Sequence, residues 1–426
     1  MFQLLAAEPV RSFFLLQRVE SVMIPRMKTT TWIAAVSMLL PLVQAAVPAH
    51  FSDRAREILA DSVAVQPVEY PLNIVYFLGN DNEPAADYER RLSEIMHYVQ
   101  QFYAKEMTRN GYPNRSFGMQ MLENGNVKLH LVRGKRPHRE YAYGTGHGKC
   151  LEEIREYAAA HANSICSDHI LVIMPTFHDE EYNDLQPGGV PFYGLGRNCF
   201  ALDYAHFDLR HLGQQTHEGR LLTKWLGGLA HELGHGLNLP HNEGTVSDMK
   251  AMGTPLMGAG NYTLGMKPTY LTQNSAMLLD RCQVFAPAGD KTAFYTECPR
   301  PEVQSASLRY TGTAFELTLR CNNTAHVTAL VQAPPYAVNQ DYEAVAFCAT
   351  PEAATDAAGY RTYTLTMPLS ELTARQNTGK GEQGIDVLFT QPNGLRYRWR
   401  TTYDSASLKP GDEIPLSKPE SMWQGY

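Results

Sequence analysis

Hydrophobic positions along the chain fall into two regimes. From Leu72 onward, short continuous apolar runs alternate with segments of helical period. "LNIVYFLGN" (72–80) reads as a buried strand closed by Gly-Asn. After Pro84, residues Tyr88, Leu92, Ile95, Val99 and Phe102 recur at steps of three and four, one face of an amphipathic helix. "NGNVKLHLVRG" (124–134) alternates Val127, Leu129 and Leu131 with polar partners, and "DHILVIMP" (168–175) is a second continuous apolar strand. The Gly- and aromatic-rich stretch 188–204 contains Pro191 and reads as an edge strand or loop. "GTGHGKC" (144–150) lacks the strand–helix context of a phosphate loop and reads as a flexible loop.

After Cys298 the period becomes two. Phe315, Leu317 and Leu319 alternate with polar residues, as do Tyr363, Leu365 and Met367, and Ile385, Val387 and Phe389. Leu395, Tyr397 and Trp399 follow across the turn "QPNG". Short alternating strands separated by turn signals describe an antiparallel β-sandwich. The prolines of "PRPEV" (299–303) mark the boundary. The expected fold is therefore an α+β domain over 70–298, with a mixed twisted sheet and long helices, followed by an all-β sandwich over 299–426.

Composition narrows the functional classes. The 426 residues leave room for two domains, and 44% hydrophobic with 19% charged residues is ordinary for globular chains. A net charge of −7 with no basic stripe gives no reason to expect nucleic acid. "MKTTTWIAAVSMLLPLVQAAVPAH" reads as a secretory signal. Lys28 is its positive end, Trp32 to Leu42 its apolar segment, and Val43 and Ala45 its small cleavage residues. The run is too short for a stable membrane span, and Met27 is the more natural start. Region 1–45 is thus expected to be removed, giving a secreted or periplasmic protein. The extension 46–69 has no room for a folded pro-domain. Its Asp53 and Asp61 are read as solvated, so activity is expected without proteolytic activation. Export also makes the seven cysteines candidates for disulfides, with Cys282–Cys298 and Cys321–Cys348 favoured and the remaining connectivity open.

The chemistry concentrates in "WLGGLAHELGHGLNLPHNEG" (225–244). At about 100° per residue, Leu222, Leu226, Leu229, Leu233 and Leu237 share one helix face, with His231 and His235 opposite and Gly227 and Gly228 keeping the approach open. An i, i+4 histidine pair can hold one Zn²⁺ through neutral ring nitrogens. Glu232 lies beside the pair, as suits a carboxylate that takes a proton from a water polarised by the metal and later delivers it to the leaving amine. Pro240 stops the helix before His241, the third ligand. Asn238 supplies the turn, being among the few residues that enter the left-handed region at modest cost.

His231-Glu232-x-x-His235-x-x-Asn238-x-x-His241 resembles the signature of the metzincin clan of zinc metallopeptidases, whose usual form carries Gly at the turn. The resemblance implies a methionine turn beneath the zinc, for which "TPLMGAGN" offers Met257; Met249 and Met252 are weaker candidates. It extends over about residues 70–285, ending in a helix near 272–281, and it implies a protein or peptide substrate paired with a sheet edge. The expected function is an exported zinc-dependent endopeptidase, with Zn²⁺ as cofactor and a C-terminal sandwich that binds glycan or protein or braces the catalytic domain. Two rivals stand beside it. One is an exported adhesion protein with a non-catalytic zinc, the other a zinc amidase acting on cell-wall peptides. His178-Asp179-Glu180-Glu181 reads as a solvated acidic loop. His206, Asp208, His211 and His217 precede the zinc helix as weak candidates for the cleft.

Overall fold

Strands buried on both faces must be covered by helices on both sides, and the first half of the chain is built that way. The computed structural model describes residues 47–162, 164–177, 188–334, 342–374, 376, 382–416 and 420–421. The expected signal segment and the acidic run 178–181 lie outside them. Helix α1 (Asp53–Leu59) is followed by β1 (Asn73–Leu78), α2 (Tyr88–Arg109), β2 (His130–Arg133), α3 (His147–Ala160) and β3 (Ile170–Pro175). Then come β4 (Tyr193–Leu195), β5 (Asn198–Asp203) and α4 (His217–Gly236). The sheet order is β2-β1-β3-β5-β4; the first four strands are parallel, and β4 runs antiparallel along the edge. The half closes with α5 (Val246–Met252), the two-residue strands β6 (Thr254–Pro255) and β7 (Thr269–Tyr270), and α6 (Gln273–Leu279).

Four expectations change here. Within 188–204 the expected edge strand is β4, but Asn198–Asp203 is a central strand between β3 and β4, because Pro191 lies outside it and leaves its ladder intact. The segment 144–150 enters α3 at His147, since Gly146 packs its α-carbon against the Tyr141 backbone, where a Cβ would come within 2.4 Å. The strand of 124–134 narrows to β2, with Val127 making a single bridge to Met121. The N-terminal extension is part of the core, with Phe51, Ala55 and Leu59 buried with α2 and the sheet, whereas Asp53 is exposed to solvent beside Arg56, as expected.

The second half holds β8 (Val303–Tyr310), β9 (Ala314–Cys321), β10 (His326–Gln332), β11 (Val345–Cys348), β12 (Thr350–Pro351), β13 (Arg361–Pro368), β14 (Gln383–Thr390), β15 (Arg396–Tyr403) and β16 (Glu420–Ser421). They form two antiparallel sheets, β11-β10-β14-β15-β16 and β12-β13-β9-β8. Leu317, Leu319, Leu365, Met367, Ile385, Val387, Phe389 and Trp399 meet in a core between them. The described residues form one compact unit, and α6 packs against β10 and β11. No helix among the described residues is long and apolar enough to cross a membrane.

The favoured disulfides are not formed; all seven cysteines are free. Cys282 lies 3.7 Å from both His169 Nε2 and the Tyr295 hydroxyl, whereas the Cys298 thiol donates to Gln391 Oε1 at 3.1 Å. Cys321 belongs to the sandwich core on β9, while Cys348 sits on β11 of the facing sheet.

Candidate metal centre

Helix α4 is started by Thr216, whose hydroxyl accepts the Gly219 N–H. Leu222, Leu226, Leu229, Leu233 and Leu237 are all buried in the main core. His231 and His235 are buried too, at 2% and 6% exposure, so the histidine face is walled rather than open. The glycines expected to open it do the reverse. A Cβ on Gly227 would lie 2.2 Å from the Asn261 carbonyl oxygen, and one on Gly228 would touch the Phe192 ring at 2.9 Å. Gly234 gives the same access from below, where Met257 Sδ would stand 2.4 Å from its Cβ. Met257 is therefore pressed against the helix at Gly234, with 1% exposure.

The helix ends in a Schellman motif: Asn238 N–H bonds the His235 carbonyl at 2.8 Å, and Leu239 N–H bonds the Gly234 carbonyl at 2.9 Å. Asn238 takes φ = 66°, which reverses the chain and returns His241 toward the two helical histidines. One ring nitrogen from each of His231, His235 and His241 lies within 4.8 Å of the others. His231 Nδ1 lies 2.7 Å from the Leu256 carbonyl, and His235 Nδ1 lies 2.9 Å from the Leu239 carbonyl. A carbonyl can only accept, so both Nδ1 atoms carry the proton and each Nε2 keeps its lone pair; His235 Nε2 lies 2.9 Å from His241 Nε2. Burial holds the His231 imidazole down to about 4 and His235 well below the ordinary value, with the neighbouring histidines adding to both shifts. Neutral, pre-oriented imidazoles are the state that binds a divalent cation. The donor set fits zinc. Among the described residues it ends at three ligands, as in sites that keep a position open.

Glu232 stands beside this cluster. Its Oε2 accepts the Gly194 N–H at 2.9 Å, and burial raises its carboxyl to about 7 against the lowering effect of that bond. Gly194 is the middle residue of edge strand β4, and a Cβ there would meet His235 Cβ at 2.2 Å and the Glu232 carbonyl at 2.5 Å. Only glycine lets the edge lie directly on the metal helix. Along the same edge Tyr193 bonds His147 Nδ1 through its hydroxyl at 2.8 Å, and Tyr143, 51% exposed, packs edge-on against Tyr193.

Several residues around the triad carry no signal in their spacing. Tyr342 stacks on His241 with ring centroids 3.6 Å apart. The Arg396 guanidinium donates to the Asn238 carbonyl, and the Tyr295 hydroxyl accepts from Asn238 Nδ2 at 3.5 Å. Gly194 had a legible cue, since a glycine inside a strand marks a close backbone approach. The weaker cleft candidates go elsewhere. Asp208 is buried with Arg90 and Arg210, His206 packs on His211, and His217 is the first residue of α4.

No protein-family model matches the chain, and no curated protein does. Among solved structures, wild-type OgpA from Akkermansia muciniphila is 44% identical with a TM-score of 0.77, covering 83% of this chain and 98% of its own. Catalytically inactive OgpA from the same organism, in complex with an O-glycopeptide substrate (glycodrosocin), aligns with the same identity, coverage and score. A second crystal form of the wild type gives 42% identity and a TM-score of 0.76 over 85% of this chain and 99% of that one.

Proposed function

Because the chain belongs to the family of OgpA, an enzyme solved with an O-glycopeptide substrate, we propose that it is a zinc endopeptidase cutting O-glycosylated polypeptides. The observation that carries the reading is the triad itself, two histidines tautomerically fixed by backbone carbonyls beside a buried carboxylate at the sheet edge. His231, His235 and His241 would hold the metal, which supplies Lewis acidity toward the scissile carbonyl and its attacking water. Gly194 occupies Glu232 Oε2, so Oε1 is the oxygen that takes the proton of the water and returns it to the departing amine. Burial raises this carboxyl in the metal-free fold, the direction that helps it hold a proton between the two transfers. The substrate backbone pairs along β4, and Tyr143 beside Tyr193 offers an aromatic face on which a sugar ring can lie.

The metzincin-like spacing and the methionine under the helix support the same chemistry, and the leader-like N-terminus supports an exported site of action. The test offers one synthetic peptide with and without a single O-linked glycan, to the wild type and to Glu232→Ala. Cleavage of the glycosylated form alone, absent in the variant, is expected by mass spectrometry. Equal cleavage of both peptides would remove the glycan from the proposal, and cleavage by the variant would remove Glu232.

A further inference from the structure

The loop bearing the third histidine is gripped at both ends by the β-module. Ahead of His241, the Arg396 guanidinium of β15 donates to the carbonyl of Asn238, 158 residues away, and to the Leu278 carbonyl at 3.4 Å. Beyond His241, Glu243 N–H donates to the Ala344 carbonyl at 2.7 Å, and Ala346 N–H donates to the Glu243 carbonyl at 3.2 Å, joining this stretch to β11.

Arg396 is in an unusual setting. It is 5% exposed and forms no ion pair with a carboxylate among the described residues, and burial lowers its guanidinium to about 10. Such a desolvated charge is costly unless its N–H groups meet strong acceptors. Here it spans the C-terminal ends of two helices, α4 and α6, where unpaired carbonyls and the helix dipoles concentrate negative potential. The rest of the α4 end is tied as firmly. The Gly236 carbonyl lies 2.7 Å from His169 Nδ1, whose Nε2 lies 2.8 Å from the Tyr295 hydroxyl. The Schellman bonds leave the Asn238 carbonyl in need of a donor, and the donor comes from the other module.

We infer that Arg396 is a positioning residue of the metal centre, through which the β-module presets the loop from Asn238 to Glu243 so that His241 already faces His231 and His235 before metal arrives. The C-terminal half is then a component of the site. The inference rests on the triad being a metal site, and its test is built to separate the two.

The full chain is compared with Arg396→Met, which keeps the aliphatic stem, and with Arg396→Lys, which keeps charge but lacks the fork that reaches two carbonyls. Zinc affinity is measured by chelator competition well below the melting temperature. Amide exchange across 237–243 is measured without metal, and kcat and KM are measured on a cleavable peptide. Arg396→Met is expected to bind zinc roughly tenfold or more weakly, the scale of lost outer-shell support, with faster exchange in the loop. Its kcat should fall while KM holds, and Arg396→Lys should recover part of each. Wild-type zinc affinity together with wild-type loop exchange in Arg396→Met would overturn the inference. Should Arg396→Met not fold, Arg396→Lys decides in its place, since unchanged exchange and affinity there would also overturn it. A wild type that binds no zinc would instead sink the metal reading, and the exchange comparison would still decide the role of Arg396.

Discussion

The two halves of the molecule bury their sheets differently. In the α/β half, β1, β3 and β5 are buried almost end to end, because helices cover both faces. In the β half, β9 and β13 alternate buried with exposed positions, as a strand with one wet face must. Yet β14 is buried at every position, and β10 at all but its first. Leu330, Ala344, Ala346 and Leu388 form an apolar cluster separate from the sandwich core, on strands that pack against α6 or beside them. One sandwich sheet is therefore the middle layer of a larger stack. A module with a sheet buried on both faces is not a detachable appendage, and its side chains reach the chemistry of its neighbour.

The sharpest division is chemical, since the triad and Glu232 all come from the α/β half. Glu232→Gln should lower kcat by between ~10²- and ~10⁴-fold, about 3–5 kcal/mol of transition-state stabilisation, with metal content unchanged. His235→Ala should lose the metal as well. Elemental analysis beside kinetics distinguishes them, and a Glu232→Gln protein that is both zinc-replete and active would return the general base to some other residue.

Next comes the double burial itself. Leu388→Asp places a charge on the outer face of β14 at a residue 1% exposed and should cost about 3–4 kcal/mol. Thr366→Asp on exposed β13 should stay within about 0.5 kcal/mol. Equal denaturation midpoints for the two would mean that the face is wet and the modules are only loosely joined.

How much of this was legible follows from the range of the physics. The three histidines were legible because helical period and a proline stop act within a dozen residues. Asn238 was a candidate for the same reason, whereas Met257 was a candidate only through the family resemblance. β5 was hidden because Pro191 and its glycines mask a strand whose proof is pairing with β3, and α3 because its first turn reads Gly-His-Gly. The cysteines misled, since nearness along the chain does not bring two thiols within bonding reach. Tyr342 and Arg396 were beyond reach: nothing near them signals a role, and only the docking of β11, β14 and β15 brings them to His241 and Asn238.

A pH experiment sharpens the electrostatic side. Glu232 is raised from 4.5 to about 7 in the metal-free fold, chiefly by burial. A raised carboxyl favours the folded state fully below pH 4.5, and that advantage is lost as pH rises through about 7. Metal-free Glu232→Gln, which cannot ionise, should thus gain on the wild type as pH rises from 4 to 8, by up to about 3 kcal/mol. Glu243 is also raised to about 7, by burial and by Glu343, so it leaves a residual slope of the same sign in the variant. Thermal melts of both proteins at pH 4 and pH 8 check this, and a gap that does not widen with pH would show that the carboxylate is solvated in the absence of metal.

The smallest effect concerns the turn between the modules. Asn238 holds φ = 66° and donates a long 3.5 Å bond to Tyr295, whereas its contact with Arg396 is made by the backbone carbonyl. Asn238→Gly removes the side-chain bond and also removes the Cβ penalty of the left-handed region. The two terms oppose, and stability and zinc affinity should change by less than about 1 kcal/mol. Asn238→Val keeps a Cβ and adds branching where that conformation is strained, and it should cost about 1–2 kcal/mol in the metal-free protein and weaken zinc binding. Because both variants retain the carbonyl that Arg396 grips, a double variant with Arg396→Met gives the decisive comparison. If the turn is held mainly by its own left-handed residue, Arg396→Met will cost little in an Asn238→Gly background. If it is held from the β-module, Arg396→Met will cost as much there as in the wild type, and the turn residue will matter only when, as with valine, it resists the shape imposed on it.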